Sequence, residues 1–404
     1  MLSRPPREPR VDEVDLGLVN AADHRDSRQR SSDIGDGSRP VVLQVGPSPG
    51  TPGGMASVLQ ELLQTDFPGY RLVVAATYGR RTGIASLTTA VGTAFRIVRI
   101  CRHWDIAHVH MSQYGSFIRE GLIVIVARFL AKPVVITLHG PNFDHHISLY
   151  PRLTRAVLNR ADHIFCLGRR QQELVHKVVP DIQTSLVMNP ISVASRHFES
   201  DLSPQVRGHP TFVFVGEVGH RKGVDRLFAA WPSIRSTLTN ASLMLVGPLT
   251  DGVQVPDLPG LTYMGVLNRE DLQKIMRRAT MCVLPSRAEA LPMAVLESLA
   301  VGTPALVTTV GEWENFVDCP AVTLLDTRTA SESEIVESLA HHLVCAVPAD
   351  RTTAIEWARD HAGPDVVARQ LASVYDTLRK PGRHPFATRR HVNLDRHRRY
   401  PRTN

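Results

Sequence analysis

The chain has 404 residues, 43% hydrophobic and 21% charged, which suits a soluble globular protein of two full-cored domains and excludes a fibrous or wholly disordered one. Its net charge of +7 sits at one end: residues 380–404 hold eight Lys or Arg against one Asp, and the rest of the chain is balanced. Five cysteines, at 101, 166, 282, 319 and 345, are scattered with no Cys-x-x-Cys pair, which argues for a reducing cytoplasm and against a disulfide framework or a zinc site.

The polar, Pro- and Arg-rich start carries no signal-peptide pattern, and residues 1–39 read as a disordered tail. The longest apolar stretch, 121–127, is interrupted by Arg128 and is too short to span a bilayer, so an integral membrane protein is not expected.

Order begins at Pro40. VVLQVG reads as a buried strand, and PSPGTPGGMASVLQELLQ as a Gly/Pro loop opening a helix with Val58, Leu59, Leu62 and Leu63 inward. Gly53 and Gly54 would let the backbone approach a ligand; no Gly-Lys-Ser/Thr follows, so the loop is not a P-loop, nor is it a Gly-x-Gly-x-x-Gly turn. RLVVAATYG is the second strand. Residues 87–104 read as a helix that sets Arg96, Arg99 and Arg102 among Phe95, Ile97, Val98 and Ile100, a pattern that fits either a solvated face or an anionic lipid surface.

DIAHVHM, GSFIREGLIVIVARFLA and PVVITLHG form a strand, a helix and a strand ending at His139-Gly140. A histidine at the carboxyl end of a parallel strand is well placed to meet a ligand. His108 and His110 read as in-strand packing or network residues, since two histidines alone do not make a metal site. Arg119 could bind an acceptor phosphate or sit on the helix surface. A further strand and helix lead to Asn189-Pro190, and a polar linker over 196–210 divides domain 40–195 from domain 211–362.

The second domain opens with TFVFVGEVGHRKGVDRLFAAW: a strand, a loop holding Gly216, Gly219, His220, Arg221, Lys222 and Gly223, and a helix. Cations on a Gly-rich loop at a strand's carboxyl end suit a diphosphate. SLMLVGP is a strand, and LTYMGVLNREDLQKIMRRA a strand, turn and helix.

The chain is organised around residues 281–313, MCVLPSRAEALPMAVLESLAVGTPALVTTVGEW. It reads as strand, loop, a helix with Pro292 in its first turn and Gly302 at its end, then strand. Glu289 lies in the loop at the strand's carboxyl end and Glu297 inside the helix. The helix start offers free N–H groups around Leu291, Met293 and Ala294 to an anion such as phosphate. Carboxylates beside such a site make sense as acceptors for the hydroxyls of a sugar or ribose. No Asp-x-Asp pair lies near a strand end.

The alternation of strands and helices makes the chain doubly wound α/β. It closes with a helix at 363–380 and a basic, His-rich tail at 381–404. On an anionic phospholipid surface the tail would gain about 1 kcal/mol per basic residue; otherwise it is simply solvated. Aromatic interleaving is limited to Phe386 and Tyr400, so no nucleic acid partner is expected.

Glu289-Ala-Leu-Pro-x4-Glu297, followed by Ser-Leu-Ala-Val-Gly-Thr-Pro-Ala-Leu-Val, resembles the E-x7-E signature of family 4 retaining glycosyltransferases, and the resemblance extends over roughly residues 40–380. It implies the GT-B fold, α/β with two Rossmann-like doubly wound parallel-sheet domains facing a cleft: an acceptor domain, a nucleotide-sugar-binding domain and a C-terminal helix crossing back to the first. It also implies transfer of a sugar from a nucleoside-diphosphate sugar to a hydroxyl with retention, without metal or other cofactor. In that pattern Glu289 orients the donor sugar, Glu297 binds the ribose, Lys222 with Arg221 meets the diphosphate, and His139 lines the reacting face. Gly53, Gly54, Leu291, Pro292 and Met293 contribute to donor binding, and the backbone at Gly265, Val266 and Leu267 reads the base.

Lys222-Gly223 matches the family's cationic pattern, whereas Glu217 stands where an Arg is usual. Gly115-Ser116-Phe117-x-Arg119 is similar to members that build bacterial capsule, exopolysaccharide or O-antigen chains, which implies a saccharide or lipid-linked saccharide acceptor and a peripheral station at the inner face of the cell membrane. Two other readings stay open: a sugar-nucleotide epimerase or phosphorylase on the same fold, and a nucleotide-sugar-binding partner protein with weak or no turnover.

Overall fold

Short runs of Val, Ile, Leu and Ala become strands buried on both faces, the pattern of parallel sheets covered by helices on each side. The computed structural model describes residues 18–20, 39–51, 53–78, 84–193, 209–346 and 350–379. The tail expected at 381–404 lies outside these residues, as do most of the segment 1–39 and the linker 196–210 except for its last two residues.

The first domain runs β1 (Leu18–Asn20), β2 (Val41–Pro47), α1 (Gly54–Gln64), β3 (Arg71–Tyr78), α2 (Ile84–Arg99), β4 (Ile106–Met111), α3 (Gly115–Phe129), β5 (Val134–Leu138), α4 (Phe143–Leu149), α5 (Pro151–Leu158), β6 (His163–Cys166), α6 (Arg169–Val178) and β7 (Thr184–Leu186). Its sheet has the order β1-β3-β2-β4-β5-β6-β7. β2 to β7 are parallel, with β2 flanked by β3 and β4. The chain goes outward from β2 to β3 and then crosses back to β4, which opens a crevice at the carboxyl ends of β2 and β4.

β1 corrects the expectation of a structureless amino-terminal segment at one point. It pairs antiparallel with β3, Leu18 opposite Ala75, and so covers backbone groups that an edge strand would leave open.

The second domain runs β8 (Thr211–Val215), α7 (Val224–Thr237), β9 (Ser242–Val246), β10 (Leu261–Gly265), α8 (Arg269–Arg278), β11 (Met281–Leu284), α9 (Met293–Ala300), β12 (Ala305–Thr308), β13 (Val322–Leu325), α10 (Glu332–Val344), α11 (Arg351–Ala362) and α12 (Pro364–Arg379). Its sheet, β10-β9-β8-β11-β12-β13, is parallel throughout, and the strand order reverses between β8 and β11. The loops after those two strands carry the cations and the first glutamate singled out in the sequence.

Two boundaries move. The helix expected over 87–104 ends at Arg99 because the Trp104 indole turns back and donates to the Ile97 carbonyl at 3.3 Å, where a further turn would have run. Pro292 precedes α9 instead of lying in its first turn, and its carbonyl accepts from Val295 N at 3.2 Å.

α12 leaves the second domain and packs on the first. Tyr375 is fully buried, its ring 5.9 Å from Phe67 and 5.3 Å from Tyr70, and Tyr70 donates to Asp376 at 2.7 Å. One hydrophobic core therefore runs from the α1 side of the first sheet into the second domain, while a separate core fills the other face of the first sheet.

Candidate active site

The two crevices face each other across a cleft of about 680 Å³, within the size range of small-molecule sites. On the second domain's side, a short helical turn at His220–Lys222 carries the cations and ends at Gly223. Gly223 has φ 73°, and a Cβ there would stand 1.9 Å from the Pro285 carbonyl oxygen, so only glycine lets the cationic turn press against the end of β11. Arg287 N donates to the Arg221 carbonyl at 2.9 Å and joins the two loops. Beneath them the buried Arg226 donates to the carbonyls of Pro285 and Ser286 and pairs with Glu332 at 2.6 Å.

This scaffold puts Lys222 Nζ 2.6 Å from Glu289 Oε1, which also accepts from Ser286 Oγ at 2.8 Å. Arg221 stands 4.0 Å from the other Glu289 oxygen. Its guanidinium is drawn to the side, donating to Glu217 at 2.7 Å and to the Ala288 carbonyl at 3.1 Å. The unusual Glu217 thus binds Arg221, one of the two cations expected at the diphosphate. Behind the carboxylate loop lies Gly311, with φ 65°, where a Cβ would come within 2.1 Å of the Glu289 carbonyl oxygen.

α9 begins at the cleft, with Leu291, Pro292 and Met293 in its wall and Glu297 one turn inward. Desolvation raises the Glu297 carboxyl to about 7, and Glu61 pushes the same way against the opposing Arg269 and Lys222. Arg269 also makes an ion pair with Glu61 on α1, across the two domains.

The first domain's wall is made of Gly53, with φ 131°, Gly54, Tyr78, Ser112, Gln113, Ser116, His139 and Asn142. His139 Nε2 lies 3.0 Å from His110 Nδ1, and His110 Nε2 lies 2.7 Å from Gln44 Oε1. His108 sits beside this pair, its ring stacked 4.4 Å from that of His110, with Tyr375 Oη at 2.6 Å and Thr137 Oγ1 at 2.7 Å. The two in-strand histidines are network residues, as their sequence context suggests. Burial lowers His139 to about 4 and His108 to about 3, and holds His110 well below the ordinary imidazole value.

The cleft therefore gathers Gly53, Gly54, His139, Arg221, Lys222, Glu289, Leu291, Pro292, Met293 and Glu297. Gly265, Val266 and Leu267 do not line it; they stand at the end of β10, Val266 67% exposed, just before Asn268 caps α8. Arg119 lies behind the wall, its guanidinium 4.4 Å above the Tyr78 ring and its Nε 3.7 Å from Glu120. Among the described residues, no group of three or more His, Cys, Asp or Glu is placed to hold a metal ion, and no helix is long and apolar enough to cross a membrane.

Sequence reading missed Ser286, Arg226, Gln44 and Tyr375. Ser286 could have been found from its spacing of three residues to Glu289 at a strand end. Gln44 and Tyr375 meet across 331 residues of chain and leave no local signal.

Comparison with known proteins fits this geometry. The family profile described as Glycosyltransferase Family 4 matches residues 51–195, and that described as Glycosyl transferases group 1 matches residues 209–344. Among curated proteins, the glycogen synthase of Mycobacterium tuberculosis is 25% identical over 229 residues, covering 52% of this chain and 54% of its own length. The UDP-Gal:alpha-D-GlcNAc-diphosphoundecaprenol alpha-1,3-galactosyltransferase of Escherichia coli is 26% identical over 234 residues, 51% of this chain and 58% of its own. The chain thus spans about half the length of these curated relatives.

Among solved structures, Anabaena HepE in complex with UDP and glucose superposes with a TM-score of 0.63 at 14% identity, covering 84% of this chain and 100% of its own. Sucrose-phosphate synthase from Thermosynechococcus elongatus gives 0.62 at 16%, covering 84% and 99%. At such identities the likeness shows the fold, which is GT-B. With its two domains matched by the two profiles, the chain belongs to the family 4, group 1 glycosyltransferases.

Proposed function

We propose that this protein transfers a sugar from a nucleoside-diphosphate sugar to a hydroxyl with retention at the anomeric carbon. The observation that carries this reading is the Lys222–Glu289 pair, poised at the cleft between the start of α9 and His139. In this pair the cation and the carboxylate neutralise each other. A donor would separate them, Lys222 turning to the diphosphate and Glu289 accepting from hydroxyls of the sugar, while Glu297 takes the ribose.

As the bond from the anomeric carbon to the phosphate oxygen breaks, its electron pair leaves on the diphosphate, which Lys222 and the N–H groups at the start of α9 stabilise. The acceptor oxygen bonds to that carbon on the same face, and its proton passes to the departing phosphate oxygen. No protein base is required.

The acceptor we favour is a lipid-linked saccharide of cell-surface polysaccharide assembly, in keeping with the diphosphoundecaprenol substrate named for the E. coli relative. A membrane-facing surface fits that acceptor. Phe95 on α2 and Phe129 on α3 are 66% and 86% exposed, and Leu149, Tyr150 and Leu153 protrude where α4 meets α5. Residues 84–103 and 145–160 contain no Asp or Glu, while Arg99, Arg102, Arg152 and Arg155 are exposed. Apolar side chains among unopposed cations suit an anionic bilayer.

Incubation with UDP-, GDP-, ADP- and TDP-sugars and a polyprenyl-diphosphate-linked sugar in detergent tests the reading. Product with the donor's anomeric configuration is expected. A second reading, a nucleotide-sugar-binding partner protein, is favoured by the Glu217–Arg221 pair, which turns one cation away from the diphosphate. Binding with neither transfer nor hydrolysis would select it.

A further inference from the structure

Behind the first domain's wall, side chains from four parts of the chain meet: Gln44 on β2, His108 and His110 on β4, His139 after β5 and Tyr375 on α12. The three histidines are neutral, so each ring has one N–H and one lone pair. A neutral chain of this kind has two self-consistent proton orders, because a ring that donates on one side must accept on the other.

The carboxamide of Gln44 selects one of them. Its Oε1 faces His110 Nε2 at 2.7 Å, so His110 donates there. Its Nε2 donates to Tyr375 Oη at 3.4 Å, which leaves the phenol to donate to His108 Nδ1 at 2.6 Å, and His108 Nε2 to donate to Thr137. With its proton on Nε2, His110 must accept at Nδ1, and the donor there is His139 Nε2 at 3.0 Å. His139 then carries its lone pair on Nδ1, which has no hydrogen-bond partner among the described residues and belongs to a ring lining the cleft.

We propose that Gln44 and Tyr375 are positioning residues: the relay locks His139 as the Nε2–H tautomer and so offers the cleft a hydrogen-bond acceptor, matched to a hydroxyl of the sugar substrate. The identity of that hydroxyl rests on the glycosyltransferase reading; the tautomer follows from the relay alone. A histidine held in the wrong tautomer keeps its place but loses its hydrogen-bonding role. Because Tyr375 lies on α12, a helix that follows the second domain conditions a wall built by the first.

Long-range proton–nitrogen correlation spectra of the full-length protein, with the His139 signals assigned by loss in His139→Gln, read the tautomer directly. Nε2 protonated and Nδ1 bare is expected; a proton on Nδ1 would overturn the proposal. Gln44→Met should turn the single His139 tautomer into a mixture and lower kcat about tenfold, the scale of one hydrogen bond, with little change in donor KM.

A single, unchanged tautomer in Gln44→Met would remove Gln44 from the role. Should that variant fail to fold, Tyr375→Phe deletes one oxygen, frees the Gln44 carboxamide to turn over, and must give the same mixture. The spectra need no substrate, so an inactive protein with the expected tautomer would count against the glycosyltransferase reading and leave the relay standing.

Discussion

On the second domain's wall of the cleft, opposite charges touch. Lys222 lies against Glu289, Arg221 against Glu217, and a half-buried carboxyl, Glu297, has Arg269 and Lys222 within electrostatic reach. On the first domain's wall, the groups behind His139 are uncharged imidazoles, an amide and a phenol, linked in a chain of hydrogen bonds. One wall can exchange its internal ion pairs for those of an anionic ligand. The histidine network of the other cannot gain charge without breaking buried hydrogen bonds, and so suits neutral hydroxyls. A nucleoside-diphosphate sugar, anionic at one end and neutral at the other, fits that division.

Removing the contacting charges should break the contrast most severely. Lys222→Ala is expected to lower kcat by about 10²–10³-fold, the usual loss when one stabilising donor to a leaving oxyanion is deleted, and steady-state turnover measures it. Glu289→Gln keeps the shape of the loop but no longer pairs as a carboxylate. Transfer should fall by a similar factor while circular dichroism stays unchanged, and near-normal turnover would take Glu289 out of the site.

The next effect sharpens the contrast through pH. If Glu297 accepts hydroxyls as a carboxylate, as proposed, donor affinity should increase as pH rises through about 7, and Glu297→Gln should flatten that rise in a calorimetric titration. Stability should move the opposite way. The folded carboxyl keeps its proton above the ordinary value of 4.5, so its contribution is full below that value and is lost as pH rises towards 7. The smallest effect concerns neither wall. Phe95→Ser combined with Phe129→Ser should leave transfer to a soluble acceptor unchanged, yet reduce co-flotation with phosphatidylglycerol vesicles several-fold.

How far the sequence reveals these walls follows from how each is built. The charged wall comes from two contiguous strand–loop–helix units, 211–237 and 281–308, whose Gly, Pro and charged residues sit at fixed offsets, so it is legible in the amino-acid order alone. The neutral wall is assembled by topology. His108 and His110 alternate along β4 and therefore share a face, which hints at contact, but nothing near them points to Gln44 or to Tyr375.

Other features were hidden for the same reason. Arg226 reads as one basic residue on an ordinary helix, although it clamps the loop that holds Glu289. Glu312, at the end of the strand after the glutamate helix, turns to the other domain and accepts from Gln171 N at 2.9 Å, at the start of α6. Such contacts between domains have no period or spacing to betray them.

If the second domain's cations grip a diphosphate, calorimetric titration of UDP, GDP, ADP and TDP, each beside its free nucleoside, measures this most directly. One diphosphate should bind at least about tenfold tighter than its nucleoside, an advantage of about 1.4 kcal/mol, and Lys222→Ala should erase the difference. A diphosphate that binds no better than its nucleoside, or an advantage that survives Lys222→Ala, would contradict it.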